Sequence, residues 1–99
     1  MTGAPIRRAR FVVRGVVQGV NFRNEATRAA TARRVTGRIW NRDDGTVELV
    51  AEGAAPALHD LARWLRQGPR LAEVEAVERT DLAGAQRYRE FSVSYGPAS

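Results

Sequence analysis

Residues 15 to 23 read Gly-Val-Val-Gln-Gly-Val-Asn-Phe-Arg. Gly15 and Gly19 permit a tight turn in which successive backbone N–H groups converge, and a helix opening at Phe22 would aim the positive end of its dipole at the same point. Such a nest suits a phosphate. Arg23, in the first turn of that helix, adds a planar guanidinium able to clamp the same oxyanion through two charge-assisted hydrogen bonds. The spacing alone is not diagnostic, because many strand-to-helix turns carry two glycines.

Other chemistries lack their residues. The chain has no cysteine, which removes disulfides, thiolate metal ligands and thiol nucleophiles together and fits a reducing cytoplasm. His59 is the only histidine and falls with Asp60, Arg63 and Arg66 on the polar face of a helix, a solvated position. Asp43-Asp44-Gly45 reads as a hairpin turn before it reads as a metal site. No cofactor or metal is therefore expected. The start, MTGAPIRRARF, lacks the apolar stretch of a signal peptide, and no run approaches membrane-spanning length, so a cytoplasmic protein without a membrane partner is expected. All sixteen basic residues are arginine and the net charge is +5; residues 1–50 carry +6 and residues 51–99 carry −1. A basic half favours anionic partners, either nucleic acid or small phosphorylated molecules.

The elements that must position this loop follow from hydrophobic period. At 99 residues the chain fits one domain, and 43% hydrophobic with 27% charged residues suits a folded one. Residues 8–14 alternate, with Ala9, Phe11 and Val13 on one face and Arg8, Arg10, Val12 and Arg14 on the other, which predicts a half-buried strand. Residues 15–21 follow as a loop. From Phe22 the period becomes helical through Ala26, Ala29 and Ala30, ending near Arg34. Residues 37–42 and 46–52 read as two strands around the 43–45 turn. A second helix opens at Pro56, carries the stripe Leu58, Leu61, Ala62 and Leu65 with Trp64 at its edge, and stops at Gly68-Pro69. Residues 74–81 form a further strand in which Val74 and Val77 are out of phase, a sign of a bulge. Phe91, Val93 and Tyr95 alternate in a last, short one. Residues 1–7 and 96–99 are expected to be a loose leader and a tail.

This order predicts an α+β domain, β-α-β-β-α-β with a short final strand, two helices on one face of a mostly antiparallel sheet and the other face open. The first two strands, joined through a helix, should run parallel by a right-handed crossover. Their ends then emerge at one sheet edge, which makes Asn41 a neighbour of the 15–21 loop.

Read as V-x-G-x-V-Q-G-V-x-F-R, residues Val13 to Arg23 resemble the signature loop of the acylphosphatases at every fixed position. Gly37, Asn41, Gly45, Val47 and Gly53 stand at the spacing of that family's second motif, and the resemblance runs from about residue 8 to Tyr95. It implies a ferredoxin-like open-faced sandwich and metal-independent hydrolysis of acyl phosphates to a carboxylate and inorganic phosphate. It further implies that the backbone amides of Gln18, Gly19, Val20, Asn21 and Phe22, with the Arg23 guanidinium, hold the phosphoryl oxygens while Asn41 orients the attacking water.

Two departures stand out. Arg38-Ile39-Trp40 occupies positions where the family usually shows aromatic-small-basic, so the aromatic and basic residues have traded places on the open face. Arg33-Arg34 stands where Leu-Gly is common, which puts Arg33 on the apolar stripe, its head snorkelling outward, and denies the helix an easy left-handed cap. The open face, with Trp40 among Arg8, Arg10, Arg14, Arg38 and Arg42, also motivates a second reading as a single-stranded nucleic-acid binder. The Gly-aromatic-Gly-Phe strand of such modules is absent, so nucleic acid is not the expected partner. A third reading is an accessory acyl-phosphate domain within a larger system.

Overall fold

A computed structural model of the chain describes residues 5–95. The elements run β1 (Arg7–Val16), α1 (Phe22–Ala32), β2 (Thr36–Asn41), β3 (Val47–Gly53), α2 (Ala55–Gln67), β4 (Glu73–Leu82) and β5 (Phe91–Val93). They form one five-stranded sheet in the order β4-β1-β3-β2-β5. Strands β1 and β2 each pair antiparallel with β3 between them, so they run parallel to one another, as the crossover rule requires. Strand β5 pairs parallel with β2. The C-terminal ends of β1, β2 and β5 therefore meet at one end of the sheet.

Side-chain period decides which face is covered. Ala9, Phe11 and Val13 of β1, with Ile39 of β2 and Leu49 of β3, are fully buried against the stripes of both helices. Helix α1 contributes Phe22, Ala26, Ala29 and Ala30, and α2 contributes Leu58, Leu61, Ala62 and Leu65, the residues that the 3.6 period selects. Trp64 is half-buried at the edge of the second stripe and meets Phe22 edge-on, ring centroids 5.7 Å apart.

Several expectations need correction. Residues 15 and 16 are not loop, because β1 keeps pairing with β4 past the bulge expected there. The register jumps from Arg14↔Ala76 to Gly15↔Val74, leaving Glu75 as the extra residue. At that bulge a Cβ on Gly15 would lie 2.0 Å from the Glu73 carbonyl oxygen, so the glycine answers a close backbone approach within the strand. Arg7 already pairs with Gly53 and belongs to the sheet rather than a leader, while residues 1–4 and 96–99 lie outside the described residues.

The second face is less open, and less positive, than its arginines suggest. Arg8 is 8% exposed, and its Nε donates to Glu52 Oε2 at 2.7 Å. Glu52 Oε1 accepts the backbone N–H groups of Arg87 and Tyr88, both at 2.8 Å, and an Arg8 Nη donates to the Ala83 carbonyl at 2.6 Å. The buried pair thus clasps the connection between β4 and β5 as it crosses to the opposite sheet edge. Arg10 pairs with Glu48 at 3.0 Å and Arg14 with Glu78 at 3.3 Å. Trp40 is only 4% exposed, in a cross-strand row with Glu48 and Val12, and offers no free ring on which a base could stack.

The end of α1 bears on the second departure. Val35 N–H bonds the Ala30 carbonyl at 2.9 Å and Arg34 N–H the Thr31 carbonyl at 3.1 Å, the paired bonds of a Schellman cap. This places Arg34 at φ 58°, a left-handed position that glycine fills without strain. Arg33 lies just beyond the helix, half-buried, and its Nη1 donates to the Ala29 carbonyl at 3.0 Å. Arg34→Gly is expected to stabilise the fold by about 0.5–1 kcal/mol, the left-handed penalty less the added freedom of the unfolded chain. Thermal denaturation checks this, and an unchanged or lower Tm would show that the arginine's own contacts offset the strain.

Candidate active site

The loop after β1 reaches the start of α1 through two left-handed residues, Gly19 at φ 75° and Asn21 at φ 64°. Asn21 stands at the helix N-cap without a side-chain capping bond; its Oδ1 instead accepts from Asn24 Nδ2 at 2.9 Å. The first-turn N–H groups of a helix have no intrahelical acceptor, so they stay open to an anion here. Arg23 follows at the second helical position, half-buried, and enters no ion pair among the described residues. Its guanidinium lies over the Tyr95 ring, 5.6 Å from the centroid.

Asn41 closes the other side. It ends β2, and the parallel course of β1 and β2 carries it to the loop, as expected from the topology. Its Oδ1 is buried and has no hydrogen-bond partner.

Between these elements lies a cleft of about 240 Å3 lined by Gly19, Asn21, Phe22, Arg23, Asn24 and Asn41, with Val17, Val93 and Tyr95 completing it. The side chains of two of the residues expected to contribute backbone amides here, Gln18 and Val20, are engaged elsewhere. The Gln18 side chain turns away and donates to the carbonyls of Arg42 at 2.8 Å and Thr46 at 2.9 Å. It braces the loop against the β2–β3 hairpin. Val20 packs on the hydrophobic core and lines a separate depression with Trp64 and Leu71.

The hairpin held by Gln18 is itself fixed by Asp44, whose Oδ1 accepts the hydroxyl and the backbone N–H of Thr46. Those two bonds, the hydroxyl foremost, hold the Asp44 carboxyl below its ordinary 3.8, and the Arg42 and Arg14 charges act in the same direction. A lowered carboxylate pKa contributes stability that is fully present above the ordinary value and is lost as pH falls through the lowered one, so this brace loosens on the acid side of 3.8. Among the described residues, no three His, Cys, Asp or Glu side chains stand together to hold a metal.

Tyr95 is the residue that periodicity misplaces. Alternation with Phe91 and Val93 puts it inward, yet β5 stops at Val93 and the Tyr95 side chain is 92% exposed over Arg23. The usable signal was topological: a last strand parallel to β2 ends beside Asn41.

In fold and cleft, this is a small α+β domain with a helix N-terminus and an arginine facing one anion-sized hollow. The acylphosphatase family model matches residues 9–93. An acylphosphatase from Pasteurella multocida is 46% identical over 85 residues, covering 86% of this chain and 94% of that protein. One from Xanthomonas oryzae is 53% identical over 75 residues, covering 76% and 85%. The crystal structure of acylphosphatase from Bacillus subtilis superimposes with a TM-score of 0.87 at 34% identity, covering 90% of this chain and 99% of that one. The chain belongs to the acylphosphatase family.

Proposed function

We propose that this protein hydrolyses acyl phosphates, with the phosphoryl group seated in the cleft between the 17–21 loop and Asn41. The observation that supports the residue assignment is that Arg23, in the first turn of α1, and Asn41, at the end of β2, line one cleft. A water held by the Asn41 side-chain amide would lie against the phosphorus. Its oxygen forms the new P–O bond as the bond from phosphorus to the carboxyl oxygen breaks, the electron pair leaves with the carboxylate, and the surplus proton passes to phosphate or solvent.

A carboxylate is a good leaving group and the transition state is loose, so no strong general base is needed. What the site must supply is orientation and charge stabilisation. Arg23 and the open amides of the first helical turn supply the second; Asn41, neutral and braced through β2, supplies the first. Gln18, Gly19, Val20, Asn21 and Phe22 contribute through the loop backbone. The Gln18 side chain also ties that loop to the hairpin that follows Asn41, and the Val20 side chain anchors it to the core.

Release of phosphate from benzoyl phosphate by the purified protein tests this reading. Hydrolysis is expected to continue undiminished in excess EDTA, with inorganic phosphate competing against substrate. Activity lost on chelation and restored by a divalent ion would overturn the metal-free mechanism.

A further inference from the structure

A second cleft, of about 460 Å3, adjoins the phosphate cleft, and the two share only Asn41 and Tyr95 among their lining residues. We propose that this second cleft receives the acyl group of the substrate and selects flat, uncharged acyl groups over anionic ones. The proposal rests on the acyl-phosphate reading above. An acyl phosphate is two groups joined through one oxygen, and the bond that breaks lies at the junction. If phosphorus sits beside Asn41, the acyl portion leaves the first cleft past Asn41 and Tyr95 into the second.

The walls define what fits there. Trp40, held at 4% exposure, forms one side; Tyr95, at 92%, forms another. Tyr95 is an exposed aromatic, and the guanidinium over its ring, that of Arg23, lines the phosphate cleft. A planar acyl group lying against the exposed Tyr95 ring would cover apolar surface that is otherwise left to water.

Charge sets the second preference. Asp43, Asp44 and Glu48 line the cleft against a single cation, Arg42. Arg42 pairs with Asp44 at 3.4 Å and Glu48 at 3.7 Å, and Glu48 also takes Arg10 at 3.0 Å from outside the cleft, so the uncompensated charge is that of Asp43, which enters no ion pair among the described residues. The hydrogen bonds from Thr46 keep Asp44 ionised. The position that could have carried a compensating charge, residue 40, is tryptophan here, and the arginine two residues earlier points its guanidinium at the Tyr88 ring, 5.5 Å away. An acyl group bearing a second carboxylate or phosphate would therefore meet net negative charge.

Values of kcat/KM for benzoyl, acetyl and succinyl phosphate test this, each variant being compared with wild type so that leaving-group differences cancel. In Tyr95→Ala the benzoyl-to-acetyl ratio is expected to fall about tenfold, the scale of one aromatic contact with its buried area. In Asp43→Asn the succinyl-to-acetyl ratio is expected to rise about threefold at low ionic strength and to return toward wild type as salt screens the charge. A benzoyl-to-acetyl ratio unmoved in Tyr95→Ala would assign the tyrosine to Arg23 alone and overturn the acyl cleft. A succinyl-to-acetyl ratio unmoved in Asp43→Asn would overturn the charge selection. Wild-type protein that turns over none of the three would overturn the acyl-phosphate reading itself, an outcome distinct from turnover with unmoved ratios.

Discussion

Arg23→Ala is expected to lower kcat/KM for benzoyl phosphate by about 10²–10³, the scale of losing a preorganised donor to a developing oxyanion. Inhibition by inorganic phosphate should weaken with it, since the guanidinium faces the cleft in ground and transition state alike. Arg23→Lys should recover only part, because an ammonium offers a point charge where the guanidinium offers a planar fork. The variant should fold: Arg23 enters no ion pair among the described residues and its side chain is outside the core. Arg8 makes the contrast, since removing one member of its buried pair with Glu52 would cost about 3–5 kcal/mol. Steady-state kinetics beside a melting curve separates the two kinds of arginine, and full activity in a folded Arg23→Ala protein would take Arg23 out of the site.

Asn41→Ala should act on a different constant. An uncharged amide adds no Coulomb attraction for phosphate, so kcat is expected to fall by about 10²-fold or more while KM and phosphate inhibition move little. Stability should hold or rise slightly, because the substitution removes a buried acceptor that has no partner. Asn41→Asp should not restore the rate, as a carboxylate facing phosphoryl oxygens adds like-charge repulsion. Retention of full kcat in Asn41→Ala would assign the water to another group.

What could be read ahead of the structure was what depends on local period and on topology. The inward set of β1, the stripe of α2, the bulge opposite Gly15 and the meeting of Asn41 with the phosphate loop all follow from spacing of two or 3.6 residues and one handedness rule. What could not be read depends on segments without a period. Arg8 looked like one more solvated arginine because nothing in residues 83–90 announces that their backbone will cross the sheet end, donate to one oxygen of the Glu52 carboxylate and leave the other to Arg8. Trp40 looked available for the same reason: alternation gives the face of a side chain, never its depth. Gln18 and Val20 sit in a loop, where adjacent residues point in unrelated directions, so membership of the motif did not reveal which side chains reach the cleft.

The sheet order has a consequence for how copies of this protein meet. It leaves two free edges, and edges are where sheets of separate molecules join and aggregate. One edge, β5, spans only Phe91–Val93 and offers little backbone to recruit. The other, β4, is ten residues long and would be the hazard. Its residues include Glu73, Glu75, Glu78 and Asp81 against Arg79 alone, and Glu75 breaks the ladder at the bulge. A chain of net charge +5 thus keeps its longest exposed edge acidic, and two such edges brought side by side would repel before their backbones could pair.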